Sequence, residues 1–351
     1  MKTILKLAIF ALIFIFLLGI KGAKASEEFK KVIRKEFQVN SDALLTLNNK
    51  FGKIQITNWE KNEISIEVTI TVNASDQESA GKKFSRFNID FSSNASAVSA
   101  ITAIEDSKSS GKGHFSVDYI VQAPATNSLD ITNKFGDIFI NEVQGKARID
   151  LGYGNLEVRK MDNSDNLVEV KFGKARFNAI KGAVMTLKYS ELNIDYAGSL
   201  RLNSKFSDLQ AGKIIALNMV MEGGKLNMQK SSSIESRTKF TDIEIERLDQ
   251  SLNLEIQYGK CEIEEIPADF STIIVKNKFG DISLNISEQA RYSLEAGMKF
   301  CELDYPESKA KFSYRSVAST EQSLKGIIGG GEGTPASKVT ITSEFGDVSL
   351  H

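Results

Sequence analysis

From Ser128 to Leu350 the chain repeats one rhythm of apolar and polar positions. Count an aromatic residue as position zero. Apolar side chains then stand at minus six, minus four and minus two, and again at plus three and plus five. One copy has Leu129, Ile131, Phe135, Ile138 and Ile140; another has Leu252, Leu254, Ile256, Tyr258, Cys261 and Ile263. Alternation with a period of two predicts a strand with one buried face. The phase breaks once, between zero and plus three, at Gly-Asp, Gly-Asn or Gly-Lys. Glycine tolerates positive φ, so the break predicts a corner after which both arms still point inward. Each unit reads as a long strand, a corner, a short strand and a turn.

The zero positions are Phe51, Phe135, Tyr153, Phe172, Tyr189, Phe206, Phe240, Tyr258, Phe279, Phe300 and Phe345. From Phe135 to Phe300 they are spaced by 18, 19, 17, 17, 34, 18, 21 and 21 residues. The interval of 34 is two units, with Gly223 standing where an aromatic is missing. A unit this short cannot bury its apolar face alone, so units must stack, each strand pairing with its counterpart one unit on. The expected fold is all-β: a single-stranded β-solenoid, right-handed and β-helix-like, with coils of about 17–21 residues. Coils about 4.8 Å apart make the stretch from Phe135 to Phe300 a rod of roughly 45 Å. The zero positions are expected to form an aromatic ladder along its interior.

These motifs resemble the putative-adhesin β-repeat family of exported bacterial proteins. The resemblance covers nearly the whole chain after its first 25 residues, including the approach Val117 to Pro124. It implies the fold and an exported, adhesin-like role, and it offers no catalytic residues to carry over.

Residues 1-25 read as a signal peptide. Lys2 and Lys6 precede an apolar run from Leu7 to Ile20, and Ala23-Lys24-Ala25 places small residues where a signal peptidase needs them. Cleavage is expected after Ala25. The run is short for a membrane span, and no later segment could form a transmembrane helix. The expected location is the periplasm or the cell surface. Residues 26-125 hold a first coil around Phe51 and a strand-rich cap. Within it, Ser75-Asp76-Gln77-Glu78 has capping-box spacing, so a short helix should run to about Phe84 and lie over one end of the rod. Glu105 to Gly113 reads as a loop tip. Residues 126-351 are the repeat array, with 306-338, including the glycine-rich run Gly326 to Gly333, read as a mobile loop excursion.

Composition narrows the function. The 44 Lys and Arg nearly balance 45 Asp and Glu, which suggests neither nucleic acid nor an anionic membrane as partner. The two histidines, His114 and His351, argue against a Ser-His-Asp site or a multi-histidine metal centre, so no metal or cofactor is expected. Acids recur at plus two (Asp137, Glu191, Asp208, Asp242, Asp281, Glu302, Asp347) and read as solvated turn residues rather than a catalytic pair. Lysines recur at minus one: Lys134, Lys171, Lys188, Lys205, Lys239, Lys278 and Lys299. Stacking would align them in an outward stripe beside the acids. That stripe reads first as a solubilising, mutually neutralising surface, and second as an ordered face for an anionic glycan. Cys261 and Cys301 lie two coils apart in this register, beyond disulfide reach.

The sequence therefore points to a non-catalytic exported scaffold or binding module, with an envelope protein or a glycan as its unidentified partner. A periplasmic sensing module and a carbohydrate-active β-helix enzyme are the alternatives.

Overall fold

The structure is a computed structural model and describes residues 26–105 and 114–351. The expected signal peptide and most of the Glu105 to Gly113 loop tip lie outside the described residues. Among the described residues the chain is all-β, apart from the helix Gln77–Phe84 and one 3-10 turn, Glu307–Lys309. The strands join into a single connected sheet.

Pairing follows the repeat. Ala147–Gly152 pairs in parallel with Ser128–Phe135 on one side and with Asn166–Lys171 on the other. On the far side of each corner, Asn155–Met161 pairs in parallel with Ile138–Val143 and with Lys174–Lys188. The register keeps equivalent positions side by side: Leu187 faces Ser204, and Leu192 faces Leu209. Asp208–Gln257 is one uninterrupted strand assignment that passes two corners, its first part beside Glu191–Lys205 and its last beside Lys260–Ile266 and Thr272–Lys278.

The inward columns come out where the alternation put them. Ile149, Leu254 and Val275 at minus four, Leu156 and Leu192 at plus three, and Phe177 and Ile263 at plus five are all buried in one core. Some inward positions are polar and hydrogen-bonded. Asn133 Nδ2 donates to the Gly52 carbonyl at 2.8 Å, and Asn277 Nδ2 donates to Ser343 Oγ at 2.9 Å.

The corner differs from its prediction. The left-handed residue is the aromatic itself in Tyr153, Phe172, Tyr189, Phe206, Phe240, Tyr258, Phe279, Phe300 and Phe345, with φ between 51 and 60°. The glycine carries the positive φ only in the first two repeats, at Gly52 and Gly136, and in the repeat that lacks an aromatic, at Gly223 and Gly224. Elsewhere the glycine serves close approach: a Cβ on Gly173 would meet the Gly154 carbonyl oxygen of the neighbouring repeat. Where Ser190, Ser207 and Thr241 replace it, each hydroxyl turns back to donate to the carbonyl of Lys188, Lys205 or Lys239.

Left-handed backbone swings the aromatic side chain outward, so the expected interior ladder is corrected to an exterior one. The rings do stack, at 4.8–5.4 Å, but Phe172 is 47 % exposed and Phe240 55 %. Gly223 therefore leaves its gap on the surface. Met219, Met221 and Met228, which might have filled an internal void, are buried on the other side of the wall.

The order of units at the ends is also not the order in sequence. Ser337–Glu344 lies between Thr272–Lys278 and Tyr292–Lys299, parallel to both. The Phe345 repeat is thus inserted between the Phe279 and Phe300 repeats. At the other end, Leu44–Phe51 lies between Ser128–Phe135 and Ala97–Ile104. The 306-338 excursion is corrected as well. Ala310–Val317 and Glu321–Ile328 form an antiparallel hairpin whose second strand pairs with Tyr292–Lys299, placing Leu324 and Ile328 in the core. Antiparallel pairing there ends the parallel register. At the N-terminal end, the helix connects Glu63–Ala74 to Phe87–Asn94 with Ala80 buried and Asp76, not Ser75, as its cap: Asp76 Oδ1 accepts from Ser79 N–H at 2.8 Å.

Candidate binding surface

Three parallel rows run along the corner side of the molecule. The middle row is the aromatic ladder, in two stacks. Phe51, Phe135, Tyr153, Phe172, Tyr189 and Phe206 form the first. Phe240, Tyr258, Phe279, Phe345 and Phe300 form the second. Stacking at this spacing is worth about 0.5–1.5 kcal/mol per pair beyond area burial. That offsets the left-handed backbone, which costs roughly 1–2 kcal/mol for a residue with a Cβ.

The lysines at minus one form the second row. All seven are solvent-facing to some degree, with Lys171 the least exposed. They do not face the acids at plus two. Lys171 pairs with Glu169 at 2.8 Å, Lys205 with Glu222 at 3.3 Å, Lys278 with Glu344 at 3.1 Å and Lys299 with Glu321 at 3.5 Å. Lys188 stands 3.9 Å from Glu169. Among the described residues, Lys134 and Lys239 make no ion pair; the Lys239 ammonium lies 5.3 Å from the Phe240 ring centroid. The hydrogen bond that Lys171 donates to Glu169 raises the Lys171 pKa, as expected for an ammonium with an acid beside it. A stripe so largely paired carries less positive field than its lysine count implies.

In the third row, the acids at plus two, four of the seven have a structural task among the described residues. Asp137 accepts the Asn155 N–H at 2.8 Å, Asp208 that of Lys225 at 2.9 Å, Asp242 that of Lys260 at 3.0 Å and Asp347 that of Glu302 at 2.9 Å. Each carboxylate satisfies the backbone of the adjacent repeat instead of its own turn, which is a correction to the turn reading. Glu191 departs from this: its pKa is lowered by hydrogen bonds from Lys174 and Asn193. The sequence signal for the task was the aspartate two residues after the aromatic; its direction needed the register.

Two grooves flank the Gly223 repeat on opposite sides. One, of about 570 Å³, is lined by Arg176, Asp195, Gln210, Asn227, Glu244 and Glu264 among others. Its Arg176 and Asp195 are paired at 3.3 Å, and no aromatic side chain lines it. The other, of about 550 Å³, is floored by small residues including Ser199, Ala216 and Ser233. Neither is signalled in the sequence, because outward positions away from the corner carry no fixed pattern. Cys261 is buried, with its thiol pushed up to about 12 by burial, and Cys301 is half-exposed; both are free. The inserted Phe345 repeat separates them further than the sequence order suggested.

No family model matches the chain, and no curated protein matches it. Among solved structures, the chain is similar to a putative adhesin from Parabacteroides distasonis at 10% identity, covering 92% of this chain and 97% of that one, with a TM-score of 0.35. A putative cell adhesion protein from Clostridium sporogenes is similar at 9% identity over 93% and 98% of the two chains, with a TM-score of 0.18. A putative adhesin from Bacteroides fragilis shows 9% identity over 92% and 97%, with a TM-score of 0.22. The structural neighbours are thus putative adhesins, the description that the repeat resembles, and at these scores they carry nothing on ligand or partner.

Proposed function

We propose that the chain is an exported, non-catalytic β-solenoid, cleaved after Ala25, with coils of about 17–21 residues, that acts at the cell surface or in the envelope as an adhesin-like scaffold and binds through its outer rows. One observation carries the reading: the positions minus one, zero and plus two stack in register from the Phe51 repeat to the Phe300 repeat, with an aromatic at zero in every repeat but that of Gly223 and lysines and acids recurring in many of them. Side chains in such rows present the same chemistry many times, which suits weak contacts summed by avidity. Asp137, Asp208, Asp242 and Asp347 of the third row are engaged by backbone N–H groups, and the Arg176 and Asp195 pair in the larger groove neutralise each other. Both uses favour display over acid–base chemistry.

The test is to incubate the purified protein with a panel of acidic and neutral polysaccharides, following bound protein and released reducing ends together. Retention without release is the expected result. Release of reducing ends or unsaturated products, abolished by one Asp or Glu substitution, would replace the scaffold with the enzyme. A partner-binding module is the second reading, favoured by the edge strand Ala310–Val317, whose outer side is unpaired among the described residues and which exposes Tyr314 and Val317. Capture of an envelope protein that Tyr314→Glu abolishes would establish it.

A further inference from the structure

In a stack, each ring hides its faces against its neighbours and shows solvent only its edge. The phenylalanines from Phe135 onward follow this rule, whereas Tyr153 and Tyr189, stacked on both sides, are 53 and 56 % exposed. Phe135, Phe172, Phe279 and Phe345, with rings on both sides, are 39–47 % exposed, whereas Phe206, Phe240 and Phe300, with a ring on one side, are 54–58 %. Phe206 and Phe240 are the two rings that flank Gly223. Each stacks on its outer neighbour, Tyr189 or Tyr258, and has no ring partner on the Gly223 side. Two faces without a ring partner therefore look at each other across a gap from which one ring is missing, with the Lys239 ammonium 5.3 Å from the Phe240 centroid. Two repeat spacings make that gap about 10 Å from ring to ring, which admits one more ring at the stacking distance of the rest.

The backbone in the gap is already shaped for a ring. Gly223 has φ of 74°, on the left-handed side like the aromatics that occupy the other corners. Phe206 leans into the space. Its separation from Tyr189 is 5.4 Å, the widest in either stack, and its Cδ1 lies 2.9 Å from where a Cβ on Gly223 would stand. An inserted ring would press Phe206 back to the spacing of its neighbours.

The charges at the gap select the ligand further. On the minus-one edge Lys205 pairs with Glu222, leaving Lys239 without an ion pair among the described residues. On the plus-two edge Asp208 and Asp242 are held by the N–H groups of Lys225 and Lys260, and Lys225 pairs with Glu244 at 2.7 Å. An anionic group is thus favoured toward Lys239 and disfavoured on the opposite edge.

We propose that the Gly223 gap is a binding slot for a small planar aromatic carboxylate, with its ring sandwiched between Phe206 and Phe240 and its carboxylate beside Lys239. The inference goes beyond surface display by repeated rows, because it concerns the one position where the ladder is broken.

The probe is 2-naphthoate, titrated into the purified protein and followed by proton NMR, with neutral 2-naphthol in parallel. Ring currents from two faces should move the bound naphthalene protons upfield, with one site per chain. Gly223→Phe fills the slot and should abolish the shift while leaving thermal unfolding unchanged or raised. Phe240→Leu, which keeps Gly223 and should fold in any case, should weaken both probes about two- to tenfold. Lys239→Gln should weaken naphthoate up to about fivefold and leave 2-naphthol unaltered. Equal binding by wild type and a folded Gly223→Phe would place the probe along the ladder or in a groove and overturn the slot. So would the absence of any upfield shift at millimolar probe.

Discussion

Phe172 and Phe177 are the same residue type five positions apart in one repeat, and they lie on opposite sides of the wall. Phe177, at plus five, is 0 % exposed, whereas Phe172, at the corner, is 47 % exposed and left-handed with φ of 55°. Hydrophobicity cannot separate them. What separates them is the backbone: an inward residue continues the strand alternation, and the corner residue leaves it. The inner wall is held by burial, and the corner is held by stacking on its neighbours and by the backbone bonds of the plus-two acids. Damage at the two places should therefore differ in kind and size.

The largest effect is expected inside the inserted last repeat. Ile341 is buried between the Phe279 and Phe300 repeats. Ile341→Asp leaves an unpaired charge in the core and should cost more than about 4 kcal/mol. Proteolysis should then open the chain from about Tyr292 onward. Were the last repeat only an appendage at the tip, the same substitution would leave Tyr292–Lys299 protected.

Next come the two phenylalanines themselves. Phe177→Ala should cost about 3–5 kcal/mol. Phe172→Ala loses two stacked neighbours and should cost about 1–3 kcal/mol. Urea denaturation of the pair checks the order, and equal costs would erase the distinction between wall and corner.

High pH should act most strongly on the wall. Burial raises the Tyr119 hydroxyl, bonded to Thr102 at 2.7 Å, to about 12, and the Cys261 thiol to about 12; the Tyr292 hydroxyl is also raised by burial. All three are neutral when protonated, and the folded state holds their protons more tightly than the unfolded chain. The stability they contribute is whole below about pH 9, where the unfolded thiol and phenols keep their protons, and falls as the pH climbs toward 12. Equilibrium unfolding between pH 8 and about 11.5 should show that decline, and a flat profile would contradict the burial of these groups.

Smaller still, the corner should reverse a general preference. Glycine in a strand is ordinarily worse than alanine by roughly 0.5–1 kcal/mol. At Phe172 the left-handed backbone makes alanine the strained choice, so Phe172→Gly should be more stable than Phe172→Ala by about 1 kcal/mol. Melting curves of the two variants decide it. Lys239→Ala, on the exposed row, should change stability by no more than about 0.5 kcal/mol.

Much of the inner wall was legible because period-two alternation is imposed by burial on one face, and Leu254, Ile256 and Ile263 could be placed from it. The stacking of the zero positions was legible too, since parallel strands set equal positions side by side. Their side of the wall was not. A left-handed Phe or Tyr is rare enough that glycine was the natural candidate for the corner, and glycine fills that role only in the first two repeats and in the Gly223 repeat. Insertion of the Phe345 repeat was hidden for another reason: every repeat offers similar edges, so pairing order is not encoded by the apolar pattern. The alternation in Ala310–Val317 and Glu321–Ile328 was masked by neighbouring glycines and polar residues. Of the candidate surface, the lysine and acid rows could be named in advance. Their partners could not, because Glu169 and Glu321 follow no repeating position, while Glu222 and Glu344 stand in the lysine's own minus-one place only in the Gly223 and Phe345 repeats.

The division between corner and wall is tested most directly by hydroxyl-radical footprinting of aromatic rings, read residue by residue by mass spectrometry. Tyr153, Tyr189, Phe206 and Phe240 should be oxidised in the native protein, while Tyr119, Phe177 and Phe270, all buried, should react only on unfolding. Native-state protection of the four corner rings equal to that of Tyr119, Phe177 and Phe270 would return the ladder to the interior and contradict the account.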